Sequence, residues 1–236
     1  MSSSRKKFLL SPYTLNIFLD CPRCFWFHVI KGKEFRRPEP PTSSLPVGMD
    51  NIIKSYFDQY RKINSLPPEV SSTLKGKLIE QSLIKDWRFW KTGLKFTDTD
   101  GQTLCGALDE CLISEGLYIP VDYKTRGFDL KEDSHSYYIF QMSCYNFLIK
   151  KNNYPVSDYA YLIFYISQAI KGEGLVKFKI EVKKINTLKP DKVYETFRKA
   201  LETLELKEPP PASKDCQFCL WAQRIIESHK KQLRLF

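Results

Sequence analysis

The apolar residues of this chain change their spacing several times, and each change marks an element. Residues 1–10 read as a basic lead, after which Ser11-Pro12 supplies an N-cap and a first-turn proline for a helix carrying Leu15, Ile17, Phe18 and Leu19 toward Cys21. Phe35 to Pro46 holds four prolines and predicts an extended connector. From about Gly48 to Arg61, Ile52, Ile53, Tyr56, Phe57 and Tyr60 recur at helical spacing and predict a buried stripe. A third helical segment is expected from Leu78 to Trp90, with Trp87, Phe89 and Trp90 as packing residues. The period then falls to two: Leu94-Lys-Phe96 predicts a strand, and Leu108, Leu112, Leu117, Ile119 and Val121 predict two more, giving a three-stranded meander. A helix follows through Tyr138, Met142, Tyr145 and Leu148. The near-continuous apolar run Tyr159 to Ile166 predicts a central strand buried on both faces. Val176 to Lys183 alternates as a strand wet on one face, and Lys189-Pro190-Asp191 opens an amphipathic helix to about Leu206.

The hairpin inside the meander carries the most chemistry. Glu115-Gly116 is a two-residue turn signal, and such a turn pairs Ser114 with Leu117 and sets Asp109 opposite Asp122. Two carboxylates facing each other repel unless a hard divalent cation such as Mg²⁺ or Mn²⁺ sits between them. Lys124, two residues on, points to the same side as Asp122. Other acidic-x-Lys triplets occur at Asp129-Lys131, Glu181-Lys183 and Glu205-Lys207, but only the copy at 122 lies on an apolar-faced strand with a second aspartate across from it. Gln141 and Tyr145 lie one helical turn apart, so both can reach one cleft.

Composition narrows the setting. At 236 residues and 42% hydrophobic content, the chain can build one full core with a small appended lobe. The shifts along it suggest a lead (1–10), a helical region with the first cysteine pair (11–92), a core (93–206) and a C-terminal cysteine segment with a basic tail (207–236). A net charge of +10 suits a polyanionic partner. No stretch approaches the roughly 20 apolar residues of a membrane span, and the start lacks a signal-peptide pattern, so a cytoplasmic protein without membrane contact is expected. Seven cysteines in that compartment do not suggest a disulfide framework. Cys21-x-x-Cys24 and Cys216-x-x-Cys219 form two chelating pairs, which suit zinc or an iron–sulfur cluster.

Gly106-x-x-Asp109, Asp122-x-Lys124 and Gln141-x-x-x-Tyr145, with cysteines toward both ends, resemble the PD-(D/E)XK nuclease superfamily. Within it the chain is similar to RecB-type domains and their iron–sulfur relatives among the CRISPR-associated and AddB-type exonucleases. The resemblance implies an α/β (α+β) restriction-endonuclease-like core, a mixed sheet of about five strands flanked by helices, and a cysteine-stapled helical lobe. It implies metal-dependent cleavage of DNA, exonuclease-like or directed at single strands, in repair, recombination or CRISPR-related processing, with proteins of those pathways as partners. Asp109, Asp122 and the Tyr123 main-chain carbonyl would hold Mg²⁺ or Mn²⁺, and Lys124 would serve the attacking water. Gln141, Tyr145 and Arg126 would contact substrate. The four terminal cysteines would hold a four-iron four-sulfur cluster, with Zn²⁺ as the alternative. These relatives usually place a histidine or glutamate on the early helix, after a glycine; here Gly48-Met-Asp50 offers only Asp50, or Asp58 farther on. A catalytically weak, nucleic-acid-binding or assembly subunit with the same fold is therefore the competing expectation. A hydrolase of small phosphoesters is disfavoured by the positive charge and the lack of a phosphate-cradling glycine loop.

Overall fold

The computed structural model describes residues 6–38 and 44–233. The first five residues of the lead, residues 39–43 of the connector and the last three of the tail lie outside the described residues. In chain order the elements begin with β1 (Leu9–Leu10), α1 (Pro12–Asp20), α2 (Pro22–Trp26), α3 (Ser44–Lys62), α4 (Pro68–Ser71), β2 (Lys77–Leu78) and α5 (Gln81–Trp87). They continue with β3 (Leu94–Thr97), β4 (Thr103–Gly106), β5 (Glu110–Ser114), β6 (Leu117–Arg126), α6 (Ser136–Lys151), β7 (Tyr159–Ile170), β8 (Val176–Asn186), α7 (Pro190–Leu204) and α8 (Gln217–Leu233). Two compact units result, one from residues 6–12 and 44–193, the other from residues 13–38 and 194–233. These cut the chain differently from the segments 11–92 and 93–206, because α3 packs on β6 within the first unit.

The first unit is built on a mixed five-stranded sheet of order β2-β5-β6-β7-β8, in which β6 and β7 run parallel and the other neighbours antiparallel. One face buries Val121, Tyr123, Tyr161 and Ile163 against Ile53 and Phe57 of α3. The other face lies under α6, whose Met142, Phe147 and Leu148 are fully buried. Side chains on a strand alternate, so Asp122 and Lys124 leave β6 toward α6.

Several expectations need correction. The meander is split between two sheets: β3 and β4 pair in a small sheet of order β1-β4-β3, and the chain leaves it before β5 enters the large one. Two contacts enforce the break. Leu108 N–H donates to the Trp87 carbonyl at 3.0 Å, outside either ladder, and a Cβ on Gly106 would lie 2.7 Å from Leu148 Cδ1 of α6. The lead contains β1, parallel to β4, with Phe8 N–H donating to Gln102 Oε1 at 2.8 Å. The central strand is β6 rather than β7, although Ala160 to Ile166 are buried as their apolar run requires. Helix α3 starts at Ser44, inside the expected connector, with Pro46 tolerated in its first turn. Ile52 is exposed, Phe89 and Trp90 are half-exposed beyond the end of α5, and much of the expected tail is the helix α8.

In the second unit, Phe25 and Trp26 of α2 are buried, Phe25 edge-on to Phe18 at 5.4 Å. Trp26 Nε1 donates to the Leu206 carbonyl at 3.2 Å and Arg23 Nε to that of Pro210 at 2.9 Å, tying the early helices to the chain after α7. Among the described residues no helix is long and apolar enough to cross a membrane.

Candidate active site and cysteine centre

Glu115 and Gly116 both take positive φ, 51° and 78°, as a tight two-residue hairpin turn demands. The ladder then runs from Ser114↔Leu117 to Glu110↔Val121, the expected register. Asp109 lies one residue past the last pair. Its Oδ2 accepts the Tyr123 N–H at 3.2 Å, which turns the carboxylate toward Asp122. Asp122 is 2% exposed; Lys124 Nζ lies 2.5 Å from its Oδ2, and Gln141 Nε2 donates to its Oδ1 at 3.2 Å. The same Gln141 nitrogen donates to Tyr145 Oη at 2.9 Å. Burial pushes the Asp122 carboxyl up, Lys124 opposes this and the Asp109 charge adds to it, leaving a pKa of about 7.

A cleft of about 410 Å³ gathers Asp50, Asp109, Asp122, Tyr123, Lys124, Gln141 and Tyr145. The Tyr123 ring points to the opposite face, where its hydroxyl donates to Glu110 Oε2, so its main chain lines the cleft. Arg126, the last residue of β6, is not among the residues lining the cleft, nor is His135 before α6. Asp58 is engaged elsewhere: Arg88 Nη1 donates to both its oxygens at 2.9 and 2.8 Å, and Arg61 lies 3.3 Å away.

Two features escaped sequence reasoning. Lys54 of α3 reaches Asp109 Oδ1 at 2.8 Å and Asp50 Oδ2 at 2.6 Å. Burial works against its charge, but Asp109 and Asp50 outweigh this and hold its pKa above the ordinary lysine value. Its i,i+4 spacing from Asp50 was the available signal. Behind the cleft, the fully buried Glu110 pairs with Arg61 at 2.5 Å and Arg88 at 3.0 Å, while Arg88 Nε donates to the Asp109 carbonyl at 2.8 Å. No motif spacing connects these residues.

A cleft with three converging aspartates suits a hard cation held by oxygen. The second unit offers sulfur instead. Cys21, Cys24, Cys216 and Cys219 place all four Sγ atoms within 4.8 Å of one another, with Cys24 3.6 Å from both Cys216 and Cys219, and Cys21 3.9 Å from Cys219. All four are free thiols. Ser213 N–H donates to Cys21 Sγ at 3.5 Å and Arg37 Nη2 to Cys216 Sγ at 3.8 Å. Burial would raise the Cys21 thiol, but backbone N–H groups of Cys24 and Ser213 outweigh it and bring the pKa to about 7. A tetrahedral zinc with Zn–S of about 2.3 Å needs sulfurs roughly 3.8 Å apart, close to those observed. A cubane, with one thiolate on each iron, needs them farther apart. Cys105, Cys111 and Cys144 are buried singly in the first unit.

No curated protein matches the chain. Among solved structures, the crystal structure of SSO0001 is similar at a TM-score of 0.50 and 14% identity, over 94% of this chain and 87% of that one, a likeness of fold. The sequence pattern of the PD-(D/E)XK nuclease superfamily matches residues 61–224, which span β5, β6, α6 and the second cysteine pair. The chain belongs to the PD-(D/E)XK nuclease superfamily.

Proposed function

We propose that the chain is a divalent-metal-dependent nuclease that hydrolyses DNA phosphodiester bonds, exonuclease-like or directed at single strands. The observation that carries this reading is the convergence of Asp50, Asp109, Asp122 and Lys124 on one cleft beside Gln141 and Tyr145. Mg²⁺ or Mn²⁺, held by Asp109, Asp122, the Tyr123 carbonyl and Asp50, would supply a water acidified toward neutral pH and a counter-charge for the phosphate. Lys124 presents a compact ammonium, fixed by Asp122 and stacked 4.8 Å over the Tyr138 ring, to orient the attacking water or offset charge growing on the phosphate oxygens. Gln141 keeps Asp122 in place and, with Tyr145, offers polar contacts to the substrate backbone, while Arg126, at the end of β6 and outside the cleft lining, would meet substrate farther from the metal. Free thiols and the net charge of +10 fit a cytoplasmic protein working on nucleic acid, with repair or CRISPR-associated proteins as partners.

The test is cleavage of labelled single- and double-stranded DNA across divalent metals. Asp122→Ala and Lys124→Ala are each expected to lower turnover by a hundredfold or more on the scale of removing a transition-state contact, about 3 kcal/mol, while the protein stays folded. Unchanged cleavage would sink the reading. A second reading, a catalytically weak nucleic-acid-binding or assembly subunit, is favoured by Lys54, whose ammonium already bridges Asp50 and Asp109. Tight, salt-sensitive DNA binding without turnover in any metal would select it. At the cysteine centre the family resemblance favours a four-iron four-sulfur cluster and the sulfur spacing favours zinc. Brown protein that bleaches on reduction selects the cluster, and colourless protein that releases zinc selects the ion.

A further inference from the structure

The second unit contains a groove of about 980 Å³ that none of the nuclease motifs uses. It runs beside the cysteine centre, with Cys24 and Cys219 in its wall. Phe35, Phe218 and Trp221 line it and are each 40–59% exposed. Phe35 stacks on Phe27 at 5.8 Å and Phe218 lies under Arg37, so each keeps one face for a ligand, while Trp221, the most exposed of the three, makes no ring or cation contact among the described residues.

The charge of the wall points to the occupant. Arg23, Arg36, Arg37 and Lys214 line the groove against a lone described acid, Glu227. Arg37 is committed, ion-paired to Asp20 and lying 4.7 Å over the Phe218 ring. Arg36 and Lys214 are exposed and make no ion pair among the described residues. Aromatic faces interleaved with uncommitted cations form the arrangement that takes unpaired bases by stacking and their phosphates by charge. A folded protein partner would be expected to meet acids as well as bases here, and an apolar small molecule would gain nothing from Arg36 and Lys214.

The geometry points to this groove as a binding site for single-stranded nucleic acid, separate from the cleft that holds Asp109 and Asp122. Bases stack first on Trp221 and then on the remaining faces of Phe218 and Phe35, and phosphates meet Arg36 and Lys214. The inference extends the nuclease reading and rests on it only for the kind of polymer bound.

Full-length protein would be titrated with labelled oligothymidylate, with no divalent metal added, over a series of salt concentrations, while Trp fluorescence is followed. Binding is expected to quench the fluorescence. Trp221→Ala is expected to weaken affinity at least about fivefold, the lower bound for losing one stacked base. Arg36→Gln and Lys214→Gln are each expected to lower the slope of log affinity against log salt by about 0.7, the single-strand value per phosphate contact. Cysteine-bound metal content, measured on every variant, separates loss of the groove from loss of the centre beside it; the two exposed charge variants leave that centre untouched. Affinity and salt slope equal to wild type in all three variants would overturn the inference, as would equal competition by a duplex of the same length, whose bases cannot stack on the wall. Cleavage assayed separately keeps the outcomes apart. Normal cleavage with unaffected variants defeats the groove alone, and groove-dependent binding without metal-dependent cleavage defeats the nuclease reading alone.

Discussion

Lys54 holds Asp50 and Asp109 together through one ammonium, so any divalent cation entering the cleft must compete with it. Lys54→Met is expected to tighten Mn²⁺ binding several-fold in calorimetric titration and to lower the melting temperature of the metal-free protein, with the deficit closing as Mn²⁺ is added. Asp122 adds a pH dependence. Because its folded-state pKa is raised to about 7, a proton must leave before an ion binds below that pH, and Mn²⁺ affinity is expected to fall about tenfold per unit there. The sign for stability agrees: the folded carboxyl keeps its proton to higher pH than the unfolded one, so its contribution is full below about 4 and is lost as pH rises through about 7. Melts at pH 5.5 and 8 check this, with Asp122→Asn flattening the difference. Asp109, Asp122 and Lys124 were legible because strand alternation and turn length fix side-chain direction. Lys54 was not, since a lysine four residues after an aspartate is ordinary on any exposed helix, and only the tertiary fold brings Asp109 to it.

At the scale of elements, β6 supplies Asp122 and Lys124, the residue before β5 supplies Asp109, α3 supplies Asp50 and Lys54, α6 supplies Gln141 and Tyr145, and Arg88 at the end of α5 ties them from behind. Its guanidinium joins Asp58 of α3, Glu110 of β5 and the Asp109 carbonyl. Arg88→Met leaves a buried carboxylate with half its compensation, at a cost of about 3 kcal/mol. A lower urea midpoint at unchanged slope, with weaker Mn²⁺ binding, is the expected outcome. The hairpin register was readable from Glu115-Gly116 because few residue pairs accept two positive φ angles in succession. The break between β4 and β5 was not. Leu104 and Leu108 keep a strand-like period across it, and the reason for the break lies in contacts with Trp87 and Leu148, remote in sequence. Ile52 shows a related limit: in α3 it sits beside the buried Ile53, and apolar character alone does not say which of two adjacent residues faces the sheet.

At the scale of the whole chain, Cys24 and Cys216 are 192 residues apart, and holding them together in a filled site removes a loop-closure entropy on the order of 5 kcal/mol from the unfolded state. If the four cysteines hold a metal or cluster, Cys24→Ser or treatment with a chelator is expected to lower the melting temperature of the second unit, seen by calorimetry as an early transition. A melt unchanged by metal removal would show the centre to be dispensable for folding. The two Cys-x-x-Cys pairs were legible as a shared centre because thiolates at that spacing chelate, whereas the identity of their guest depends on sulfur distances that spacing does not set. The separation of the pairs also imposes an order in time. A chain emerging from the ribosome presents Cys21 and Cys24 long before Cys216 and Cys219 exist, so loading of a metal or cluster at the four cysteines would have to wait for almost the whole polypeptide, and the early pair would have to stay reduced until then.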